Sequence, residues 1–134
     1  MDKLAIHELI GKYYFLVDTQ NKAAWLGLWA EEGVLQNGDN IARGREQLQQ
    51  FADDHITDPN KHTQHMATNI FTELTGDEAT AVSYMLVIDS IVQQAQHATA
   101  ICESKLRKVG GEWKLVSHVF KTDASFDYSK LNTD

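Results

Sequence analysis

The second half of the chain carries the strongest constraint on the fold, a series of long segments with strand character. Apolar residues there follow the two-residue period of β-strands. Glycine-containing turns at 75–78 and 109–112 mark two of the junctions, and the third lies near Gln93 and Gln94. Strands of this length must curl. We therefore expect a curled antiparallel sheet built from four segments, at about 62–74, 79–93, 96–109 and 113–124.

The first half of the chain has helical patterning. Residues 3–19 place apolar side chains at spacings of three and four, which predicts a long amphipathic helix. A second helix is expected over 22–30, ended by Gly33, and a third over 45–56, with short strands at 34–36 and 41–43 between them. Helices followed by an antiparallel meander predict an α+β fold. We expect one domain over residues 1–134, a cone with the curled sheet wrapped over the N-terminal helices.

Composition narrows the class of protein. The 134 residues are 43% hydrophobic with one proline, which is typical of an ordered globular chain. A net charge of −7 disfavours nucleic acids and acidic membranes as partners. Cys102 is the one cysteine, which rules out an intramolecular disulfide and suits a reducing cytoplasm. The sequence has no stretch that could cross a bilayer, so we expect a cytoplasmic protein.

The predicted strands are apolar on both faces. In the segment 79–93, Met85 and Val87 share one face, and Val82 and Leu86 share the other. A layer of helices covers one face of a sheet, so the second face predicts a homodimer.

The segment from His65 to Phe71 suggests a functional site. In a regular strand, His65, Ala67, Asn69 and Phe71 point the same way, which would hang an imidazole and an amide into an apolar interior. Buried polar groups need partners, and Asp18 at the end of the first helix is the best candidate for His65.

A histidine paired with an aspartate can act as a general base, because the carboxylate fixes the tautomer of the ring. The alternative is a structural hydrogen bond in the core. Tyr14, one turn before Asp18, could hold a substrate oxygen or simply fill the core. Asn69 could bond to His65, to a substrate or to its own strand. We expect the pocket wall to include these apolar residues: Trp25, Trp29, Phe51, Phe71 and Met85.

Other polar residues have weaker claims to function. His62 and His65 fall on opposite faces of a strand, and no zinc-binding motif is present, so neither a metal nor a cofactor is expected. His118 is expected on the surface or at an interface, and Cys102 as a small buried hydrophobic residue.

Several segments together resemble the nuclear transport factor 2-like superfamily, in particular its SnoaL-like branch. They cover nearly the whole chain and comprise Tyr13-Tyr14-Phe15 with Asp18, Trp25 and Trp29, Gly44-Arg45-Glu46, His65 to Asn69, and Gly111-Glu112-Trp113-Lys114-Leu115.

The strand around His65 resembles those of two lyases of the superfamily, scytalone dehydratase and hexachlorocyclohexane dehydrochlorinase. The resemblance implies that His65 pairs with Asp18 in catalysis, assisted by Tyr14. Ser83 or Tyr84 stands where a second pocket histidine is expected, which places Tyr84 at the pocket. The resemblance to these lyases further implies a cofactor-free lyase or isomerase acting on a small hydrophobic or cyclic molecule. The alternative is a non-catalytic binding or dimerising module of the same fold.

Overall fold

Helices dominate the first half of the chain and long strands the second. The structure is a computed structural model that describes residues 1–57, 62–89 and 98–122, so the predicted junction near Gln93 lies outside the described residues. The elements are α1 (Asp2–Asp18), α2 (Lys22–Leu26), β1 (Trp29–Asn37), β2 (Asn40–Arg43), α3 (Gly44–His55), β3 (Thr63–Thr75), β4 (Glu78–Asp89), β5 (Ala98–Val109) and β6 (Glu112–Thr122).

The strands form one sheet in the order β2-β1-β6-β5-β4-β3. The meander β3 to β6 is antiparallel, as expected. Strand β1 pairs parallel to β6, a pairing that the sequence did not predict. The sheet curls without closing, because the described edge strands β2 and β3 do not pair with each other. The predicted α+β class is confirmed.

Helix α1 lies in the concave side of the sheet. Its buried residues are Ile6, Leu9, Ile10, Tyr13 and Tyr14, and full burial of each large apolar side chain contributes roughly 1.5–3 kcal/mol. The two middle strands of the meander bury mostly small side chains: Ala79, Ala81 and Ser83 from β4, and Ala100, Cys102 and Ser104 from β5.

The second predicted helix was too long. Helix α2 ends at Leu26, and Trp29 begins strand β1, where it pairs with Leu115 of β6. Gly33 does not end a helix but lies inside β1. A Cβ on Gly33 would stand 2.6 Å from a ring carbon of Trp29, so glycine is needed there for close packing.

Strand β3 contains a β-bulge at Asn69. Asn69 has a positive φ of 54°, and the pairing with β4 shifts register between Thr68 and Phe71. The extra residue reverses the alternation of faces, so Ile70 and Thr72 turn inward in place of Asn69 and Phe71. The expectation that Asn69 and Phe71 share the face of His65 is therefore wrong.

Strand β6 contains a second irregularity, at Val116. Lys105 of β5 pairs with Ser117 and the next residue, Leu106, pairs with Leu115, so Val116 is one residue in excess. This insertion turns His118 inward, to 1% exposure. His118 is thus a core residue, and its expected place on the surface or at an interface was wrong.

No helix in the described ranges is long and apolar enough to span a membrane.

Candidate active site

A cavity of about 730 Å³ opens between α1, α3 and the concave side of the sheet. This volume lies within the usual range for small-molecule sites. The lining residues that are buried are mostly apolar and form its inner end. They are Tyr13, Tyr14, Leu35, Ala42, Ile56 and Met85.

Asp18 and His65 meet in the wall of the cavity. Oδ1 of Asp18 lies 2.6 Å from Nδ1 of His65, and Oδ2 accepts a hydrogen bond from the backbone N–H of His65 at 2.8 Å. The backbone bond is possible because β3 is an edge strand, whose outward N–H groups have no strand partner. Both oxygens of one carboxylate therefore hold one residue, and the predicted pairing of the two side chains is present.

The arrangement leaves the second nitrogen of His65 available. When Nδ1–H donates to Asp18, Nε2 of the neutral ring is an acceptor. In the described part of the chain no hydrogen bond reaches Nε2, and His65 lines the cavity. The side chains of His65 and Asp18 are 22% and 15% exposed, so both are partly shielded from water but reachable from the cavity.

Tyr14 lies beside His65, and the two rings are nearly parallel. Their centroids are 5.8 Å apart with 14° between the planes, which is an offset-stacked geometry. The hydroxyl of Tyr14 points into the core, 3.2 Å from Sγ of Cys102 and 3.1 Å from Nε2 of His118. Burial raises the pKa of Tyr14 above its ordinary value. Tyr14 thus stays protonated and offers the cavity mainly its ring.

His118 is a functional candidate that sequence reasoning missed. Its Nδ1 lies 2.7 Å from Oγ of Ser104, and burial lowers the pKa of His118 to about 3, so the ring is neutral. No sequence signal marked it, since simple alternation from Trp113 and Leu115 places His118 on the outer face. Cys102 is buried, as expected, and its pKa is raised to about 11 by that burial.

Residues 1–119 match the SnoaL-like domain family. The chain belongs to this family. No curated protein matches the sequence.

Solved structures similar to this SnoaL-like chain share its fold. A cystatin-like protein of unknown function from Nostoc punctiforme is 28% identical, with a TM-score of 0.84 and 93% of each chain covered. An NTF2-like protein from Novosphingobium aromaticivorans is 23% identical, with a TM-score of 0.83, 99% of this chain and 90% of that one covered.

A candidate scytalone dehydratase from Novosphingobium aromaticivorans is also similar. It is 20% identical, with a TM-score of 0.81, and 95% of this chain and 87% of that one are covered. At this identity the likeness shows the fold alone.

Carboxamides surround the opening of the SnoaL-like cavity, another feature that sequence reasoning missed. They come from the turn after α1, the β1–β2 hairpin and α3, and comprise Gln20, Asn37, Asn40, Gln47 and Gln50. Ten of the twenty described residues that line the cavity are polar or charged. Among the described residues, no lysine or arginine lines it, whereas two carboxylates, Asp18 and Asp54, do.

The other predicted pocket residues divide into two groups. Phe51 and Met85 line the cavity. Trp25 and Trp29 are fully buried behind it. Trp25 stacks on Phe51 there, with 5.7 Å between the ring centroids. They were misplaced because α2 ends before Trp29 and both indoles pack into the core.

Three predicted pocket residues lie on the convex side of the sheet. Tyr84 is 55% exposed, because its neighbour Met85 faces inward and side chains alternate. Phe71 is 60% exposed and Asn69 is also exposed, both through the β3 bulge. Among the described residues, no three His, Cys, Asp or Glu side chains cluster closely enough to hold a metal ion.

Proposed function

We propose that this protein is a lyase or isomerase in which His65 removes a proton from a carbon atom of a small cyclic molecule. The observation that carries the proposal is the Asp18–His65 pair, in which both carboxylate oxygens bind His65 while its Nε2 stays without a described partner in the cavity wall. This is the arrangement required of an oriented general base. Membership of the SnoaL-like family, which includes enzymes such as dehydratases, supports it.

The proposed reaction uses His65 first as a base and then as an acid. Nε2 takes the proton, and the electrons of the broken C–H bond form a double bond with the neighbouring carbon. In a lyase reaction the leaving oxygen departs with its bonding pair and receives the proton from Nε2, which releases water. In an isomerase reaction a double bond already present in the substrate breaks, and its electron pair forms the new C–H bond when Nε2 returns the proton to a further carbon. Asp18 stabilises the imidazolium that exists between the two transfers.

The cavity favours a neutral substrate with an apolar ring and oxygen substituents. The apolar inner end contacts a ring, and carboxamides at the opening can both donate to and accept from hydroxyl or carbonyl groups. An anionic substrate would face Asp18 and Asp54, and none of the described lining residues is a lysine or arginine that could offset its charge.

A β-hydroxycyclohexanone is a suitable probe for lyase activity, because its dehydration gives an enone that absorbs in the ultraviolet. Deuterium exchange into cyclohexanone in D₂O, followed by NMR, tests proton abstraction without any leaving group. His65→Gln and Asp18→Asn should each lower the rate on the order of a hundred- to ten-thousand-fold, the usual contribution of a general base. His62→Gln, at an exposed histidine next to the same strand, is the matched control and should keep the wild-type rate.

The double variant distinguishes a catalytic pair from two separate residues. His65→Gln with Asp18→Asn should lose little more than either single variant, because residues that act as a unit are not additive. Losses that multiply would show independent roles. A folded His65→Gln variant with wild-type activity would refute the proposal. Binding of the probe, seen as increased thermal stability, with neither exchange nor dehydration would favour a binding module of the same fold.

We also propose that two copies associate through the convex side of the sheet. Large apolar residues on β3, β4 and β5 are exposed there, and Tyr84 lies directly opposite Ile101 across one strand pair. An ion pair between Glu103 and Lys121 lies beside them. An apolar centre with charges at its side is typical of a protein interface, and a surface that meets its own copy fits the two-fold symmetry of most homodimers.

A further inference from the structure

A chain of buried polar groups runs from strand β5 through β6 to helix α1. Ser104 Oγ lies 2.7 Å from Nδ1 of His118, whose Nε2 lies 3.1 Å from the hydroxyl of Tyr14, which lies 3.2 Å from Sγ of Cys102. All four residues are at most 3% exposed. A fully bonded polar network inside an apolar core fixes one arrangement of its members, because any displacement leaves a buried polar group without a partner.

The chemistry of the chain keeps the proton of Tyr14 inside the fold. A neutral imidazole has one N–H, so there are two arrangements. If Nε2 carries the hydrogen, Ser104 donates to Nδ1, Nε2 donates to Tyr14, and Tyr14 donates to Cys102. If Nδ1 carries it, His118 donates to Ser104 and accepts from Tyr14. In both arrangements Tyr14 is anchored by its hydroxyl and uses its proton on a buried partner.

The anchored ring of Tyr14 forms one side of the environment of His65. Asp18 holds the imidazole by its Nδ1 edge, and the ring of Tyr14 lies 14° from parallel with its plane. Behind Tyr14, the imidazole of His118 lies between two aromatic rings. Its centroid is 4.5 Å from that of Tyr13 and 4.7 Å from that of Phe120. Both enclosing residues also line the cavity, so His118 lies directly behind the cavity wall.

We propose that Ser104 and His118 are positioning residues for His65 and act on it through Tyr14. This inference rests on the proposed function, since it concerns the orientation of the proposed base. His118 holds the hydroxyl of Tyr14, Ser104 fixes the ring of His118, and the ring of Tyr14 restricts the imidazole of His65 from one face. The imidazole of His65 is then oriented by two groups, the charged carboxylate of Asp18 and the neutral hydrogen-bonded chain from Ser104 and His118 to Tyr14.

Two substitutions of His118 separate positioning from simple packing. The amide of glutamine reaches about as far as Nε2 and can still bond to Tyr14, whereas that of asparagine reaches about as far as Nδ1 and can bond only to Ser104. Histidine-labelled protein gives NMR signals from the imidazole C–H groups of His65, which respond to the distance and angle of a neighbouring aromatic ring. We expect those signals to shift in His118→Asn and to stay near wild type in His118→Gln.

Tyr14→Phe, which keeps the ring and removes the anchor, should shift the His65 signals as His118→Asn does. In a Tyr14→Phe background, His118→Asn should add nothing to the shift, because the hydrogen bond between residues 14 and 118 is already absent. With a turning-over substrate, His118→Asn should lower kcat on the order of a hundredfold, the effect of misplacing a reacting group by about 1 Å, with KM little changed.

Unchanged His65 signals in folded Tyr14→Phe would overturn the inference, as would equal shifts in His118→Gln and His118→Asn. If His118→Asn does not fold, Tyr14→Phe and the small deletion Ser104→Ala carry the same test. Failure of the proposed function looks different. If the His65 signals shift in His118→Asn but not in His118→Gln, and His65→Gln keeps its activity, the general base is refuted and the positioning stands. If the His65 signals do not respond to substitution of His118 or Tyr14, and His65→Gln is inactive, only the positioning is refuted.

Discussion

The buried imidazole of His118 predicts that this protein loses stability in mild acid. Burial lowers the pKa of His118 from 6.5 to about 3 in the folded protein. Below pH 6.5 the unfolded chain therefore binds a proton that the folded chain does not bind until about pH 3. The stabilising effect of the neutral ring is fully present above pH 6.5 and is lost as pH falls toward 3.

The size of the effect follows from the shift. One pKa unit is worth about 1.4 kcal/mol, so the full shift removes about 5 kcal/mol from the free energy of unfolding. That equals the whole stability of many small proteins, roughly 5–15 kcal/mol. In the described part of the chain, the titratable groups that face His118 are Tyr13 and Tyr14 of α1 and Cys102 of β5. Burial raises the pKa of all three, so none of them takes part in this acid transition.

Urea unfolding at a series of pH values, in wild type and His118→Gln, isolates this contribution. The stability advantage of wild type should shrink by about 3 kcal/mol between pH 6.5 and about pH 4. Carboxylates such as Asp2, whose pKa is lowered by hydrogen bonds from Trp113 and Lys108, affect both proteins equally and cancel in the difference.

Cys102→Ala is the matched control, because it removes another buried partner of Tyr14 that is neutral throughout this pH range. It should lower stability by the same amount at every pH. A difference between wild type and His118→Gln that is independent of pH would refute the reasoning.

Three further predictions concern packing, backbone and assembly. Gly33→Ala should destabilise the protein by about 1–3 kcal/mol in urea unfolding, since its Cβ would overlap the ring of Trp29, while Gly11→Ala, with open space in α1, should stabilise it by about 0.5–1 kcal/mol. Asn69→Ala should cost about 1–2 kcal/mol at its positive φ and Asn69→Gly should not; equal thermal stability of the two would contradict the bulge assignment. Sedimentation at micromolar concentration should show a dimer that Phe71→Lys dissociates; a wild-type monomer would refute the association.

The class of the fold could be predicted from periodicity because most elements are long enough to show it. The long helix, the third helix and the four strands of the meander begin and end within a few residues of their predicted bounds, wherever those bounds fall on described residues. The parallel pairing of β1 with β6 could not be predicted, since Trp25, Leu28 and Trp29 fit helical spacing equally well. Strand partners are a tertiary property, and the helical pattern there was overridden by packing against β6.

In the candidate site, too, residues in regular segments could be predicted and residues at irregular ones could not. Asp18 and His65 were found because α1 keeps a regular helical period up to Asp18 and β3 keeps a regular strand period before its bulge. His118 was missed and Asn69 misassigned because each lies next to or within a one-residue bulge. A bulge reverses which face a side chain occupies, and alternation alone cannot locate it. The asparagine at Asn69 is a residue type that tolerates positive φ, which was the one available sign.

The backbone N–H of His65 has a consequence for assembly as well as for chemistry. It lies on an edge strand of the sheet, and unpaired N–H groups on such a strand can pair with a strand of another molecule. Asp18 occupies that N–H with the same carboxylate that orients the imidazole. Any foreign strand that extends the sheet at this point must first displace Asp18, and so must disable the proposed base. Protection against aggregation and readiness for catalysis thus depend on one side chain, and they should be lost together.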